Sequence, residues 1–390
     1  MTAPTFAAER VRSPRFYWLP LALFCLGHFT IDLYSGALGT MQPVLLRRFQ
    51  LSYTEAGFLA GVLVFSSSVL QPVYGYLSDR WRSRLFTVLG PAMAGIFICS
   101  LGWAPGYPIL LAMVWLGGAG IASFHPQAAA NAVVHVREKR SSAMAIFVSA
   151  GSLGLAAGPL FFSAILAGGT LARLPWGALP GLAVTALLLL FMPAVGGGGR
   201  TVRHGALRLG AVWKTMAILY LLVFIRSVVQ IVFTQMLPLY LHNQRGYSLS
   251  ASGLALSLYL LGGALGGLAG GSLADRFGRR RIIIFSMIGS TPLLVLFVFG
   301  SGVASLIGLF LGGLILLFTV PVNVVMAQEL APEQAGTVSA LMMGFGWGMA
   351  GLIFIPLTGW VSDLLSMQWA FAGLIAFPLI GFALAWRLPK

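Results

Sequence analysis

Twelve long apolar runs, separated by short polar or basic stretches, make up almost the whole chain. A helix needs about 20 mostly apolar residues to cross the hydrocarbon core of a bilayer. The pattern therefore predicts an all-α integral membrane protein with twelve transmembrane helices. The predicted spans are residues 17–45, 53–77, 85–103, 107–135, 142–168, 176–194, 213–241, 249–273, 281–300, 303–328, 335–362 and 368–387. Kinks are expected at Pro43, Pro72, Pro126, Pro159, Pro238, Pro321 and Pro356, because proline removes a ladder hydrogen bond.

The composition strengthens this interpretation. Hydrophobic residues make up 58% of the chain and charged residues only 8%, whereas about a quarter of a soluble domain is charged. Most of the surface must therefore face lipid, and the bilayer is the expected partner. Cys25 and Cys99 both lie within apolar runs, so neither a disulfide framework nor a metal site is expected.

The distribution of positive charge predicts the orientation. The net charge is +15, but the basic residues lie in short clusters between apolar runs and not on one face, which argues against nucleic-acid binding. Of the 24 Lys and Arg residues, 19 fall on one side of the predicted topology and four on the other. Cytoplasmic loops carry the excess of Lys and Arg. The sequence thus predicts a bacterial inner-membrane protein with both termini in the cytoplasm.

The chain contains an internal repeat. Gly75-Tyr-Leu-Ser-Asp79-Arg80 recurs as Gly271-Ser-Leu-Ala-Asp275-Arg276, an offset of 196. An offset of 195 or 196 maps further positions of the first half onto the second. A parallel duplication predicts two six-helix bundles related by a pseudo-twofold axis, which in transporters rock around a site at the bilayer midplane. The predicted bundles are residues 1–195 and 213–390, joined by a Gly-rich, basic cytoplasmic linker at 196–212. A monomer is expected.

The repeated motif resembles the loop signature of the major facilitator superfamily. The second copy reads Gly-x-Leu-x-Asp-Arg-x-Gly-Arg-Arg at 271–280, and the first departs from it with Arg82 in place of Gly278. The resemblance implies the major facilitator fold, in which these residues latch one side of the protein. This gating role carries over to Gly75, Asp79, Arg80, Gly271, Asp275, Arg276 and Arg279. The alternative is that Asp-Arg merely ends a helix and follows the charge topology.

A narrower resemblance covers most of the chain. Several short motifs are similar to those of the fosmidomycin-resistance branch, although Ile31 stands where that branch usually has Asn. These motifs are His28-x-x-x-Asp32, Leu70-Gln71-Pro72, Phe124-His125-Pro126, Arg226-Ser227 and Ala327-Gln328-Glu329-Leu330. The resemblance implies a proton-driven exporter. In the fifth span, Gly154-x-x-x-Gly158 is similar to an export signature, but small residues at this spacing also serve helix packing.

Ionisable residues within the predicted spans are candidates for proton coupling. A charge at the bilayer centre costs about 2.5–3.5 kcal/mol even on the lenient scale. His28 and Asp32 lie four residues apart and therefore share a helix face; they either exchange a proton or form a structural hydrogen bond. Arg226 maps by the offset of 195 to position 31, beside Asp32. We expect an Asp32–Arg226 charge pair, direct or through water, that is either broken during transport or static.

Polar residues in other spans are candidates for a substrate cavity. His125 precedes Pro126, where the fourth helix is expected to bend, and it either exchanges protons or is a packing histidine. Gln127, Asn131 and His135 follow at helical spacing and predict a polar stripe. The cavity candidates are Gln71, Gln127, Asn131, Gln230 and Asn323.

The function expected from the sequence is proton-coupled secondary active transport. The chain shows no nucleotide-binding or hydrolytic motif, so we expect no enzyme activity and no cofactor, and a proton gradient as the energy source. Arg226 and the histidines favour small organic substrates of an anionic or phosphonate-like class. The alternatives are an importer, symporter or uniporter on the same fold, and a non-transporting membrane sensor. A membrane enzyme would need a metal-spaced set of side chains, and the histidines are scattered over several spans.

Overall fold

The computed structural model describes residues 18–81, 83–132, 140–192, 210–334 and 338–389. Regular structure in these ranges is helical, with no strand among them. We number the membrane helices α1 to α12. They are α1 (Trp18–Phe49), α2 (Tyr53–Leu77), α3 (Leu85–Cys99), α4 (Tyr107–Ala132), α5 (Ser142–Ile165), α6 (Leu174–Phe191), α7 (Trp213–Asn243), α8 (Leu249–Phe277), α9 (Arg279–Phe299), α10 (Gly302–Leu330), α11 (Leu341–Leu364) and α12 (Met367–Ala385). Eleven of these are long and apolar enough to cross a membrane, and α3 is a shorter apolar helix.

Several of the helices are interrupted where the sequence removes a backbone donor. A π-helical segment, Phe65–Val69, lies within α2. Pro72 follows it and cannot donate to the carbonyl of Ser68. In α10 the regular helix stops at Leu316 and resumes at Thr319, just before Pro321, which has no N–H for the carbonyl of Leu317. A second π-helical segment, Ala340–Phe345, opens α11, and no proline accompanies it.

Serine caps begin equivalent helices of the two halves. The Ser52 hydroxyl accepts a hydrogen bond from the Glu55 N–H, and the Glu55 carboxylate accepts one from the Ser52 N–H, at 3.2 and 2.9 Å. This reciprocal capping box satisfies two N–H groups at the start of α2. Ser248 accepts from the N–H of Ala251 and begins α8 in the same way. The two serines are 196 residues apart, so the repeat in the sequence is a repeat of helical positions.

The two halves are α1–α6 and α7–α12. They meet where α2 packs against α11, α5 against α8, and α1 against α7. The repeat maps α2 onto α8 and α5 onto α11, so the first two contacts are equivalent, as a pseudo-twofold axis requires. Within each half, α1 packs on α5 as α7 packs on α11. The packed interiors are rich in fully buried aromatic rings, including Tyr34, Phe124, Phe162, Phe233, Tyr240 and Phe371. Residues 196–209 of the predicted linker lie outside the described residues.

The halves are fastened together at one end. We call the end holding residues 75–84 and 271–281 the motif end, and the opposite one, with residues 47–55, 242–253 and 359–368, the far end. At the far end, the backbone N–H groups of Tyr53 and Thr54 donate to the Asp363 carboxylate at 2.9 and 2.8 Å. Arg47 and His242, 195 positions apart, are in contact at 3.5 Å. Among the described residues, the hydrogen bonds that we find between the halves all lie at this end.

Candidate functional site

A cavity of about 370 Å³ lies between the halves. Its lining comes from the middle of α1, α4 and α7 and from the motif-proximal parts of α2, α10 and α11. Five of the residues predicted from the sequence line it: Asp32, Gln71, His125, Arg226 and Gln230. The lining also includes the polar residues Ser67, Ser68, Thr234 and Gln235 and the apolar residues Met342, Met343 and Trp347, which the sequence analysis missed. Ser67 and Ser68 belong to the π-helical segment of α2, and Met342 and Met343 to that of α11.

The predicted polar stripe of α4 does not line this cavity. Gln127 accepts a hydrogen bond from the Thr87 hydroxyl at 2.5 Å and donates to the backbone oxygen of Ser83 at 3.2 Å. Asn131 donates to the carbonyl of Gln127 at 2.7 Å. The contacts of Gln127 join α4 to the start of α3, whereas the bond of Asn131 lies within α4 itself. His135 lies outside the described residues.

Asn323 also lies away from the cavity. It is fully buried, and neither atom of its side-chain amide has a hydrogen-bond partner. Its neighbours Val320 and Val324 carry the contribution of α10 to the cavity wall instead. The predicted cavity role of Asn323, like that of Gln127 and Asn131, does not follow from the geometry.

Asp32 is held between two histidines. Its Oδ2 lies 3.3 Å from His28 Nε2, and its Oδ1 lies 3.3 Å from His125 Nε2. The first contact is the one that the spacing of four residues predicts. The second was not foreseen, because the sequence placed the histidines in separate spans. In these three side chains, which we call the Asp32 cluster, one ligand-type atom from each residue lies within 4.8 Å of those of the other two. A set of metal-type ligands therefore exists where the sequence predicted none.

The other nitrogen of each imidazole fixes the protons of the Asp32 cluster. His28 Nδ1 lies 2.8 Å from the carbonyl oxygen of Phe147, and His125 Nδ1 lies 2.9 Å from that of Ile121. A carbonyl oxygen only accepts hydrogen bonds, so each Nδ1 carries a proton. Each contact between Nε2 and the carboxylate then needs one further proton, on nitrogen or on oxygen. The cluster holds two such protons when both contacts are satisfied.

Glycines on α5 make room for this cluster. A Cβ atom at Gly151 would lie 2.6 Å from Asp32 Oδ2 and even closer to the His28 ring. Gly154 and Gly158 face the backbone oxygens of Phe29 and Leu33 on α1 just as closely. The predicted Gly-x-x-x-Gly element thus packs α5 against α1, which is the alternative that its spacing left open.

Arg226 is a buried cation that has no carboxylate partner among the described residues. Its side chain is 6% exposed. One Nη donates to the side-chain oxygen of Gln230, the other donates to the Ser227 hydroxyl at 3.1 Å, and Nε has no partner. The direct Asp32–Arg226 pair expected from the repeat is not formed. The reason is local: the two histidines occupy both oxygens of Asp32, and Gln230, one helical turn along α7, takes the guanidinium.

The described residues of the gating motifs form several contacts at the motif end. Arg279 forms a bidentate pair with Glu329, with Nη2 and Oε1 2.8 Å apart. Asp275 is exposed and makes no ion pair within 4.0 Å among the described residues. Arg80 donates to the Tyr76 hydroxyl at 3.4 Å. The Arg276 guanidinium lies over the Phe277 ring, 5.2 Å from its centroid, and the side chain of Asp79 lies outside the described residues.

The first glycine of each motif has a clear packing role. A Cβ at Gly75 would lie 3.4 Å from Pro126, and one at Gly271 would lie 3.9 Å from Pro321. The first glycine of each motif thus lies beside a proline of its neighbouring helix, at equivalent positions of the repeat.

Two further arginines were missed from the sequence. Arg84 donates to the carbonyl of Met192 at 2.5 Å, just beyond the end of α6, and Arg280 donates to that of Trp386 at 2.7 Å, just beyond the end of α12. Cations at helix C-termini satisfy orphan carbonyls and favour the helix dipole. The two arginines are 196 residues apart, so the repeat offset was the signal that would have identified them.

The sequence is similar to those of known membrane transporters. Residues 24–345 and 219–390 match the family model described as Major Facilitator Superfamily. The uncharacterized MFS-type transporter YfnC of Bacillus subtilis is 30% identical over 348 residues, which is 85% of this chain and 84% of YfnC. The fosmidomycin resistance protein of Escherichia coli is 27% identical over 361 residues, 89% of this chain and 87% of that protein.

The fold has similar solved structures. A bacterial homologue of the human lysosomal transporter Spinster, in an inward-facing and occupied conformation, superposes with a TM-score of 0.82. The match covers 97% of each chain at 15% sequence identity. At this identity the similarity concerns the arrangement of the helices.

Proposed function

This chain belongs to the Major Facilitator Superfamily, and we propose that it is a proton-coupled secondary active transporter that exports small organic compounds by alternating access. The observation that carries the proposal is Asp32, held between His28 and His125 in a cavity between the halves. We place the protein in the bacterial inner membrane as a monomer, with both termini in the cytoplasm. It uses the proton gradient and no cofactor.

The Asp32 cluster suits a proton carrier. Loss of one of its two shared protons leaves a nitrogen lone pair facing a carboxylate oxygen, and the two repel each other. His28 and Asp32 belong to α1, whereas His125 belongs to α4, so proton loss favours a change in the packing of these helices. Asp32 and His125 both line the cavity. A coupled carrier needs this link between protonation and helix packing.

The conformation supports alternating access. The cavity lining extends from the middle of the helices toward the motif end, while the far end is held together by the hydrogen bonds of Asp363 and by the contact of Arg47 with His242. With the motif end in the cytoplasm, as the distribution of Lys and Arg indicates, this is an inward-facing state. The Spinster homologue of similar fold is described as inward-facing too.

The cavity wall supports an anionic substrate with an apolar part. Arg226 offers a positive charge that no carboxylate of the described chain neutralises, and a buried charge without a partner is costly. Trp347, Met342 and Met343 provide an apolar surface in the same cavity. The substrate class is thus a small organic anion, phosphonates included. One relative carries the name of fosmidomycin resistance, so fosmidomycin is the first compound to test, and export is the direction that this name favours.

The test uses purified protein in liposomes loaded with fosmidomycin. Lowering the external pH should speed efflux of the compound and acidify the lumen at the same time, because antiport moves protons inward as the compound leaves. Asp32→Asn should abolish the proton signal. His125→Gln should weaken it, while Arg173→Gln, which alters an exposed arginine in the loop before α6, should leave it unchanged.

Each contrary result has a distinct meaning. Faster uptake at low external pH would establish a symporter and overturn export. Movement of the compound with no proton signal in the wild type would establish a uniporter and overturn coupling. A complete lack of transport, for fosmidomycin and for a panel of organic anions, would support a sensor in place of a carrier.

A further inference from the structure

We infer that the Asp32 cluster also binds one divalent transition-metal ion of the Zn²⁺ class, in place of its two shared protons. The binding part of this inference stands on geometry alone, and the effect on transport rests on the proposed function. The cluster supplies two imidazole nitrogens and a carboxylate, which is a common ligand set for zinc.

The distances fit such an ion. Zinc binds imidazole nitrogen and carboxylate oxygen at about 2.0–2.2 Å, so two ligands of a tetrahedral ion lie about 3.4 Å apart. Each Nε2 of the cluster lies 3.3 Å from an oxygen of Asp32. One ligand-type atom from each of the three residues lies within 4.8 Å of the other two. Side-chain adjustments of less than an ångström would thus place every ligand on one ion.

The surroundings of the two imidazoles are those of metal ligands. In protein metal sites, a ligating histidine usually donates its other N–H to a carbonyl or carboxylate, which fixes the tautomer and aims the free lone pair. His28 does this with the carbonyl of Phe147, and His125 with that of Ile121. The His28 ring is further fixed by stacking on the Phe147 ring, with centroids 4.2 Å apart. Both Nε2 lone pairs therefore already point at Asp32.

The cavity supplies an approach for the ion and space for a further ligand. Asp32 and His125 line the cavity, so an ion within the cavity can reach them. The Ser35 hydroxyl, 3.4 Å from Asp32 Oδ1, lies on the same wall. A water molecule or this hydroxyl can complete a tetrahedral shell, since zinc sites with three protein ligands keep such a position.

The charge balance links the ion to transport. With its two shared protons, the cluster has the charge of two imidazolium groups and one carboxylate, wherever each proton lies between nitrogen and oxygen. A divalent ion enters, two protons leave, and the cluster then consists of the ion, two neutral imidazoles and one carboxylate. Its net charge is the same before and after. The metal-bound cluster therefore resembles the fully protonated one electrostatically, but it does not release its charge when the carrier reorients, so the ion should arrest proton-coupled transport.

The experiment measures metal binding to the full chain, purified without a histidine tag. Titration with Zn²⁺ in a chelator-buffered solution should show one ion bound per chain. With Co²⁺ as a probe, the visible absorption should be intense and typical of tetrahedral nitrogen and oxygen coordination. His28→Ala, His125→Ala and Asp32→Asn should each weaken binding by at least about tenfold. His242→Ala, which changes a histidine outside the cluster, should bind as the wild type does.

The outcomes separate this inference from the proposed function. Absence of stoichiometric binding, or binding that survives both His125→Ala and Asp32→Asn, would overturn the metal site, whether or not proton coupling is found. Where a variant loses its folded state in size-exclusion chromatography, His125→Gln, which keeps the volume and a polar end, takes its place. In liposomes, Zn²⁺ on the cavity side should abolish the proton signal of the wild type. Binding without that inhibition would overturn the regulatory part, and binding in a protein with no proton signal at all would count against the proposed function alone.

Discussion

Arg226 is the residue at which burial of a charged group is least compensated by its neighbours. It is 6% exposed, its hydrogen-bond partners among the described residues are the neutral side chains of Gln230 and Ser227, and its Nε has no partner there. A substrate anion would remove that conflict. Hydrogen bonds to charged groups contribute roughly 1.5–3 kcal/mol, which corresponds to roughly 10- to 150-fold in affinity.

We therefore expect Arg226→Gln to raise the KM for an anionic substrate at least about tenfold, with a smaller change in maximal rate. Initial rates of transport into or out of liposomes measure both quantities. Arg173→Gln, which alters an exposed arginine in the loop before α6, is the matched control and should change neither. An unchanged KM in Arg226→Gln would mean that the buried charge serves the fold and not the substrate.

Sequence patterns could identify single residues but not their partners in other helices. The four-residue spacing of His28 and Asp32 predicted their contact because a helix repeats every 3.6 residues. The same rule placed Gln127 and Asn131 on one face of α4, yet it could not say that this face meets α3. His125 has no near neighbour in sequence that would point to Asp32. Its place in the cluster is set by how α4 crosses α1, which is a property of the packed bundle.

At the scale of elements, the fit between α5 and α1 determines whether the Asp32 cluster can form. Gly151 lies beside Asp32 and His28, and any side chain there would collide with them. We expect Gly151→Ala to push the cluster apart and to abolish the proton signal in liposomes, while the protein stays folded. Gly267→Ala is the matched control, since nothing lies within 4 Å of a Cβ added there. Full coupling in Gly151→Ala would show that the cluster tolerates displacement.

The helices themselves were largely predictable, and their interruptions were predictable in part. Apolar runs placed the ends of most spans within a few residues of those observed, because lipid exposure leaves few alternatives for a 20-residue apolar segment. Pro72 and Pro321 accompany interruptions in α2 and α10. The π-helical segment at the start of α11 contains no proline, so no single residue of the sequence predicts it. It lies opposite the π-helical segment of α2, and that juxtaposition exists only in the folded protein.

At the scale of the whole molecule, we expect the contacts at the far end to set the ratio between the conformation closed there and the one open there. Asp363 of the second half accepts two N–H groups at the start of α2 in the first half, and these bonds must break when the far end opens. Loss of a helix N-cap costs about 0.5–2 kcal/mol, which is roughly a 2- to 30-fold change in a population ratio. Asp363→Ala should shift the protein toward the state that is open at the far end.

Distances between spin labels on the two halves would measure that shift. Ser52→Ala is the control, because it removes a cap from the same end of α2 without touching the other half. It should lower stability and leave the distance distribution unchanged. Equal distributions in Asp363→Ala and the wild type would show that this bridge does not set the balance between states.

The repeat predicts the symmetry of the fold but not that of the chemistry. Ser52 and Ser248, or Arg84 and Arg280, do the same task in each half. Asp32 and Arg226 lie at nearly matched positions of the repeat and carry opposite charges. Asp32 contacts two histidines, whereas Arg226 donates to Gln230 and Ser227. The two halves share the arrangement of their helices but differ in single side chains: the first half carries the Asp32 cluster, and the second half carries Arg226.

The close glycine packing at the far end has an electrical consequence. Gly57 faces the backbone oxygen of Ile355, and Gly253 faces that of Pro159, with an added Cβ lying 2.7 and 2.9 Å away. Backbones this close leave no room for water between these two pairs of helices. If the protein works as proposed, most of the membrane voltage falls across this packed layer. An elementary charge that crosses the full voltage exchanges about 2.3 kcal/mol for every 100 mV, so we expect voltage as well as the pH difference to drive any transport step that carries net charge.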